Sequence, residues 1–254
     1  MGDGGRAVLL DLDGPVGRIT LNRPEVLNAE NMDWVVGLER AVTRAEEDSR
    51  VRLLLIAGAG RAFSSGLDRD MVAEQGWPPG FYETQERVFR RLELMDKIVI
   101  CALHGYCLGG GLQLAISCDI RICSTDCRLG TAAVQYGLFP GMAAYRLPRL
   151  VGVGPTARLL LSGEAIDAEE AARLGLVDHL VPAEGFSEGL EELVQRYLRA
   201  SPTAAAAVKR LMRRDGEDFE DVFEDSQRML RECLDSADFA AGNEAWTRRR
   251  GRRL

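Results

Sequence analysis

Two glycine-containing turns carry the strongest chemical signal in the sequence. Residues 63–68 (FSSGLD) follow an apolar run at 51–57, and residues 104–113 (HGYCLGGGLQ) follow a second apolar run at 98–103. Loops at the carboxyl ends of buried strands are where α/β proteins usually bind ligands. A run of glycines at the start of a helix leaves backbone N–H groups unpaired. Two such turns predict an oxyanion hole, in which a pair of N–H donors stabilises an enolate.

Two common nucleotide-binding loops do not match the glycine turns. Dinucleotide-binding loops need a different glycine spacing and belong to the first strand–helix unit, whereas residues 109–111 follow a later one. A phosphate-binding Walker loop needs Gly-Lys-Ser/Thr, which does not follow here. Each motif taken alone also fits a tight turn that requires glycine, and this alternative stays open.

The elements that must position the turns alternate between strand and helix. Residues 7–21 predict a β-hairpin, and a breaker cluster within 73–80 predicts a mobile loop. The pattern predicts further strands at 51–57, 98–103, 118–123 and 177–181 and helices at 31–46, 82–95, 112–117, 158–161, 168–174, 191–200 and 203–212. This order indicates an α/β core, assigned to residues 1–190, followed by a helical region at 191–254.

Composition excludes several classes of function. The 254-residue chain has a net charge of −7, and its one basic cluster is at the C-terminus, which disfavours nucleic-acid binding as a main role. No apolar run is long enough for a membrane span, and the N-terminus lacks the apolar segment of a signal peptide. We therefore expect a cytoplasmic protein with no membrane partner.

Cysteine and histidine patterns argue against a metal site. The six cysteines form no CxxC pair, and the chain has two histidines. We expect the cysteines to be small buried apolar residues in a reducing compartment. No metal and no separate cofactor are predicted.

Eight short stretches together resemble the enoyl-CoA hydratase/isomerase (crotonase) superfamily. They occur in the family's order and span nearly the whole chain. They are residues 19–29 (ITLNRPEVLNA), 63–68, 104–111, 118–120 (CDI), 137–141 (GLFPG), 147–152 (LPRLVG), 161–163 (LSG) and 171–177 (AARLGLV). The resemblance implies an α/β crotonase (ClpP-like) fold of repeated ββα units. It also implies a C-terminal helical trimerisation region and a homotrimer or dimer of trimers.

The resemblance also implies site residues. The oxyanion hole would use the backbone N–H groups of Leu67 and Gly110. An acyl-CoA thioester would be the partner, with CoA as part of the substrate. The residues implied in CoA binding are Arg23, Leu27, Ala29, Ser65, Gly66, Asp68, Arg69, Asp70, Trp246 and Arg249.

Two departures from the family pattern affect the chemistry. Hydratases of the family carry a glutamate where this chain has Gln113 and a second where the alignment places Ala133. Water addition needs an acid and a base, and neither glutamine nor alanine titrates. Tyr82, Glu86 and Tyr136 are the candidate replacements, and Tyr82 and Glu86 share a face of the predicted helix 82–95.

These departures lead to two functional hypotheses. The favoured one is an enzyme that stabilises a thioester enolate for decarboxylation, isomerisation or a related lyase step, and that hydrates crotonyl-CoA negligibly. The alternative is a non-catalytic acyl-CoA-binding carrier or pseudoenzyme subunit. Both share the oxyanion turns. Only the enzyme needs a titratable group near the acyl α-carbon.

Overall fold

The structure is a computed structural model. It describes residues 7–212, 219, 223–224, 227, 230–231, 234–235 and 237–250. The statements below concern those residues.

A six-stranded sheet forms the centre of the molecule, in the order β1-β2-β3-β4-β6-β9. Strands β1 and β2 pair antiparallel as the predicted hairpin, and all other neighbours in this sheet are parallel. Its strands are β1 (Val8–Asp11), β2 (Val16–Leu21), β3 (Leu53–Gly58), β4 (Ile98–Leu103), β6 (Ile120–Ser124) and β9 (His179–Val181). Strands β3 and β4 are apolar on both faces because helices and a second layer cover both sides of the sheet.

A second sheet consists of three short strands. It contains β5 (Tyr106–Leu108), β7 (Arg128–Gly130) and β8 (Ile166–Asp167), in the order β5-β7-β8. The sequence pattern did not predict these strands, because two or three residues are too few to show a period-2 alternation.

Ten helices are described. They are α1 (Met32–Glu47), α2 (Arg69–Gln75), α3 (Phe81–Leu94), α4 (Gly110–Ile116), α5 (Ala143–Val151), α6 (Val153–Ser162), α7 (Ala168–Arg173), α8 (Phe186–Tyr197), α9 (Pro202–Met212) and α10 (Ala237–Arg250). Short 3-10 helices occur at Pro24–Val26 and Ala133–Tyr136. Side-chain caps set two of the starts: the Asn31 side chain accepts from Trp34 N–H, and the Asp68 side chain accepts from Met71 N–H.

The α/β prediction with a helical C-terminal region is confirmed. Helix α5 was not predicted, and α2 was expected only in that Asp68 should cap a helix following it. The loop expected at 73–80 is confined to residues 76–80 because α2 continues to Gln75. Residue 190, the predicted boundary between core and tail, lies inside α8. The division into 1–190 and 191–254 stays a prediction.

The C-terminal helix α10 packs back onto the core. It contacts α2 and the 3-10 helix at Ala133–Tyr136. A groove with a volume of about 480 Å³ lies between α2 and α10 and is lined in part by Val72, Asn243 and Arg248. Within the described residues, no helix combines the length and apolarity that crossing a bilayer requires.

Candidate active site

The two glycine turns predicted from the sequence are in direct contact. Ser64 N–H donates to Tyr106 O and Leu108 N–H donates to Ser64 O, each over 2.9 Å. Gly66 has a φ of +82°, and a methyl group built on it would lie 2.7 Å from Leu108 O and 3.0 Å from Gly110 N. Only glycine permits this approach, so Gly66 sets the distance between the turns.

Both predicted oxyanion donors have available N–H groups. Gly110 is the first residue of α4 and so has no acceptor one helical turn earlier. Within the described part of the chain, neither Leu67 N–H nor Gly110 N–H donates a backbone hydrogen bond. This geometry is what an oxyanion hole needs, although the assignment itself stays a prediction.

Glu30 is the residue that the sequence reasoning missed. It pairs with Leu67 in an isolated parallel bridge: Glu30 N–H donates to Gly66 O over 2.8 Å, and Asp68 N–H donates to Glu30 O over 3.0 Å. Its carboxyl is completely buried. A Cβ built on Gly110 would lie 1.8 Å from Glu30 Oε2, so the carboxyl lies against both turns. The available signal was an ionisable residue directly after the motif at residues 19–29.

Burial changes the acidity of Glu30. Desolvation raises its pKa to about 8, against a smaller opposing effect from a hydrogen bond that Gln85 donates. The Gln85 Nε2 to Glu30 Oε2 distance is 2.7 Å. Within the described residues, Glu30 Oε1 has no hydrogen-bond partner. Glu30 is thus an acid near neutral pH, and one of its two carboxyl oxygens has no hydrogen-bond partner among the described residues.

The two positions of the missing glutamates lie near the turns. Gln113 is on α4, one turn after Gly110, and its buried Oε1 has no hydrogen-bond partner among the described residues. A Cβ built on Gly141 would contact both the Gln113 amide and the Tyr82 ring, so the structure brings Tyr82 and Gln113 together. Ala133 begins the 3-10 helix and supplies no polar group.

Glu86 belongs to a buried ion cluster. Arg146 Nη1 lies 2.8 Å from Glu86 Oε2, and Arg146 Nε donates to Glu93 Oε1 over 2.7 Å. The first contact is an ion pair by distance without an aligned hydrogen bond. Burial raises the pKa of Glu86, and Arg146 opposes that rise. Glu86 and Glu93 together neutralise the buried charge of Arg146, and this gives Glu86 a structural role.

Tyr136 stacks on Arg69. The Arg69 guanidinium carbon lies 3.6 Å from the centroid of the Tyr136 ring. This contact joins the start of α2 to the 3-10 helix that holds the Ala133 position. Whether Tyr82, Glu86 or Tyr136 transfers protons stays a prediction.

The loop expected to bind CoA is held in a fixed shape. Leu27 and Asn28 have φ values of +55° and +56°. The Asn28 side chain donates to the backbone oxygens of Ala59 and Ala62 over 2.9 and 2.8 Å, which stabilises this left-handed segment. Ser65 N–H donates to Leu27 O over 2.9 Å, so the loop lies beside the first turn.

Arg23 connects that loop to the helix cap. It donates to Ala29 O over 2.6 Å and to Asp68 Oδ2 over 2.9 Å. Arg69 and Asp70 form the first turn of α2 beside this pair. Trp246 and Arg249 are on α10, but their side chains lie outside the described part of the structure. Together these residues form one side of the predicted CoA site, and their contact with CoA stays a prediction.

The five described cysteines pack as apolar residues, and Cys233 lies outside the described residues. Cys101, Cys107, Cys118, Cys123 and Cys127 are buried and free. Burial raises the pKa of the Cys101 and Cys107 thiols, which makes them poor nucleophiles. No cluster of three or more His, Cys, Asp or Glu side chains that could hold a metal ion occurs in the described ranges.

Comparisons with known proteins agree with the order of motifs and the geometry. The model of the enoyl-CoA hydratase/isomerase family matches residues 12–252. The chain belongs to the enoyl-CoA hydratase/isomerase family. The crotonase fold implied by the motifs is confirmed.

Named relatives within this family are hydratases. The short-chain-enoyl-CoA hydratase of Clostridium acetobutylicum is 35% identical over 91% of this chain and 90% of its own length. The 2,3-dehydroadipyl-CoA hydratase of Escherichia coli is 32% identical over 78% of each chain. An enoyl-CoA hydratase structure from Mycobacterium avium subsp. paratuberculosis superposes with a TM-score of 0.87, at 26% identity over 96% of each chain.

These relatives correct the functional prediction. The chain was expected to be a lyase- or isomerase-type enzyme rather than a standard hydratase, or else a carrier without activity. The relatives that this chain matches over most of their length are named hydratases, which contradicts both of these predictions and favours hydration. The prediction looked for the acid and base at the family positions Gln113 and Ala133 and then among Tyr82, Glu86 and Tyr136. It overlooked Glu30, which tertiary contacts bring to the same turns.

Proposed function

We propose that this protein is an enoyl-CoA hydratase that adds water across the C2=C3 double bond of a 2-enoyl-CoA thioester. The observation that carries the proposal is the match to short-chain-enoyl-CoA hydratase, which is 35% identical over 91% of this chain. The contact between the two turns supports it, because a methyl group on Gly66 would lie 3.0 Å from Gly110 N, so the turn that contains Leu67 lies against the start of α4.

The turns act on the thioester carbonyl. Both N–H groups donate to its oxygen, and they bind more strongly as negative charge develops there. The polarised thioester makes C3 electrophilic, so water adds at C3 and an enolate forms across C2 and C1. Protonation of C2 then gives the 3-hydroxyacyl-CoA. Loss of one donor in such a site typically costs on the order of 10² to 10³ in kcat.

The CoA part of the substrate is assigned to the surface around α2. Arg23, Leu27, Ala29 and the turn at 63–68 form one wall, and the groove beside α10 continues it. Arg248 lines that groove, and a guanidinium there suits a phosphate group of CoA. The residues Trp246 and Arg249 are placed on the same helix, α10.

Homotrimeric assembly, or a dimer of trimers, is part of the proposal. Large apolar side chains are exposed on α6 and α9: Val153, Leu161, Val208 and Met212 are each more than half exposed. Burial of such residues between subunits is favourable. Sedimentation equilibrium at micromolar concentration is the test, and a stable monomer would contradict it. A cytoplasmic location and the lack of a separate cofactor are also proposed.

Turnover of a 2-enoyl-CoA series tests the activity. Purified protein is incubated with crotonyl-CoA and longer 2-enoyl-CoAs, and 3-hydroxyacyl-CoA is measured by mass spectrometry. The expected result is hydration of at least one member. No product from any member would contradict the proposal, provided that binding is seen by calorimetry.

Carbonyl polarisation tests the site independently of turnover. A saturated acyl-CoA labelled with ¹³C at the carbonyl is bound and examined by difference infrared spectroscopy. The C=O stretch is expected to shift to lower frequency, since two N–H donors draw electron density from the C=O bond onto the oxygen and so weaken the bond. An unshifted band in the bound ligand would show that the carbonyl does not meet the turns.

A further inference from the structure

The backbone of Glu30 is part of the first turn. Its N–H and C=O are hydrogen bonded to Gly66 and Asp68, on either side of Leu67. Glu30 and Leu67 are therefore laterally paired residues, joined through their backbones. Asn31, the next residue, caps α1 and anchors the segment on its other side.

The carboxyl of Glu30 reaches the second turn. Its two oxygens would lie 1.8 and 2.6 Å from a Cβ on Gly110, and only the missing side chain of that glycine leaves room for them. Gln85 on α3 donates to Oε2 and so fixes the orientation of the group. In the described chain, Oε1 has no partner.

An unpartnered buried oxygen is costly in a purely structural role. Nearly all buried polar atoms in native proteins are hydrogen bonded, and an exception needs an explanation, of which a catalytic role is one. By contrast, the two buried carboxyls on α3, those of Glu86 and Glu93, both face the Arg146 guanidinium. Glu30 has no Lys or Arg ion-pair partner within the described residues.

The groups around Glu30 keep its proton in place. Gln85 faces it from α3, and the neutral thiol of Cys107 lies near it on β5. Arg23 and Asp68 form an ion pair in the adjoining turn. Because Oε2 accepts from Gln85, the acidic proton belongs on Oε1. Desolvation favours this neutral form and raises the pKa of the group to about 8.

We propose that Glu30 is the catalytic acid and base of the hydration, in place of the glutamates absent at Gln113 and Ala133. This inference rests on the proposed hydratase function. Water oxygen forms a bond to C3 as the C2=C3 π pair moves into the enolate. The Oε1 proton of Glu30 passes to C2, and the resulting carboxylate takes the proton released by the added water. The acid is regenerated, and no further reactant is consumed.

The test compares Glu30→Gln with the wild type in two assays. The first is hydration of the best 2-enoyl-CoA. The second is exchange of the C2 hydrogens of a saturated acyl-CoA with D₂O, followed by NMR, which reports enolate protonation without water addition. Glu30→Gln keeps the size of the side chain and its contact with Gln85. It is expected to lower kcat and the exchange rate by on the order of 10² to 10⁴, with KM nearly unchanged.

A pH profile separates catalysis from structure. Wild-type kcat/KM is expected to fall as the pH rises through about 8, because the acid form of Glu30 is then lost. Glu30→Asp retains a carboxyl and should keep such a limb at a lower rate, whereas the residual activity of Glu30→Gln should lack it. Glu93→Gln is the matched control: a buried glutamate on α3 outside the site, expected to lower the melting temperature but leave the pH profile unchanged.

The outcomes distinguish the two proposals. Folded Glu30→Gln that hydrates and exchanges at wild-type rates would overturn the role of Glu30 and leave the hydratase function standing. Wild type that exchanges C2 hydrogens in a Glu30-dependent way but hydrates no enoyl-CoA would support Glu30 and contradict the function. Wild type with neither activity on ligands that bind would overturn both.

Discussion

Gly66 packs directly against the backbone nitrogen of Gly110, and this contact joins the two turns of the site. A methyl group on Gly66 would lie 3.0 Å from that nitrogen and 2.7 Å from Leu108 O. Both neighbours are backbone atoms and cannot move aside by changing rotamer. The spacing of the two proposed oxyanion donors, Leu67 N–H and Gly110 N–H, therefore depends on the absence of a side chain at this one position.

Gly66→Ala is expected to lower both stability and activity. Gly14→Ala is the matched control, because Gly14 has a similar φ of +77° but no atom within 4 Å of a built Cβ. The control should cost about 1–2 kcal/mol, the price of a left-handed conformation, and Gly66→Ala should cost more because of the collision. Urea unfolding and enoyl-CoA turnover measure the two effects. Equal losses in the two variants would show that the turns do not need this contact.

Gly110→Ala is expected to displace the Glu30 carboxyl. The new methyl would come 1.8 Å from Oε2, which Gln85 holds in place. Combining it with Glu30→Ala removes the colliding group, so the destabilisation should be smaller in that background. A double-mutant cycle in urea is expected to give a coupling of about 1–3 kcal/mol. Additive effects would mean that the two residues do not touch.

Glu30→Gln is expected to change how stability depends on pH. The pKa of Glu30 rises from 4.5 in the unfolded chain to about 8 in the folded protein, so the folded state binds more protons between these values. Stability from Glu30 is therefore lost as pH rises through this window. Relative to wild type, Glu30→Gln should gain stability by several kcal/mol, on the order of 5, as the pH rises from 4.5 to 8. Parallel curves of unfolding free energy against pH for the two proteins would refute the shift.

Arg146→Met is expected to destabilise the protein strongly. It leaves Glu86 and Glu93 buried without their shared cation, although Arg90 still contacts Glu93. Breaking a buried pair in this way costs about 3–5 kcal/mol. Arg18→Met is the control, because the Arg18–Glu191 pair is 41% and 45% exposed and such surface pairs contribute about 0–1 kcal/mol. Chemical denaturation compares them, and similar small losses would show that the cluster is unimportant.

The sequence by itself determined the family, the fold class and the two turns. Motifs 63–68 and 104–113 each combine an apolar strand with glycines at its end, and both signals are local in the chain. The apolar runs of β3 and β4 were recognisable because a strand covered on both faces has few polar residues. The Asp68 cap of α2 was likewise expected from residue type and position, and the structure confirms it.

Only the tertiary structure decided which carboxyl reaches the site. Glu30, Gln85 and Gly110 come from three segments that are far apart in the chain, and no local pattern indicates that they meet. Glu86 is the opposite case, a carboxyl that the sequence suggested for the site and that packing commits to an ion pair. Its helix position was compatible with catalysis, but α5 brings Arg146 to it. The acidity of a carboxyl depends on its desolvation and its charged neighbours, which are properties of packing between elements. For that reason the sequence suggested that the acid was missing, while the fold supplies a candidate.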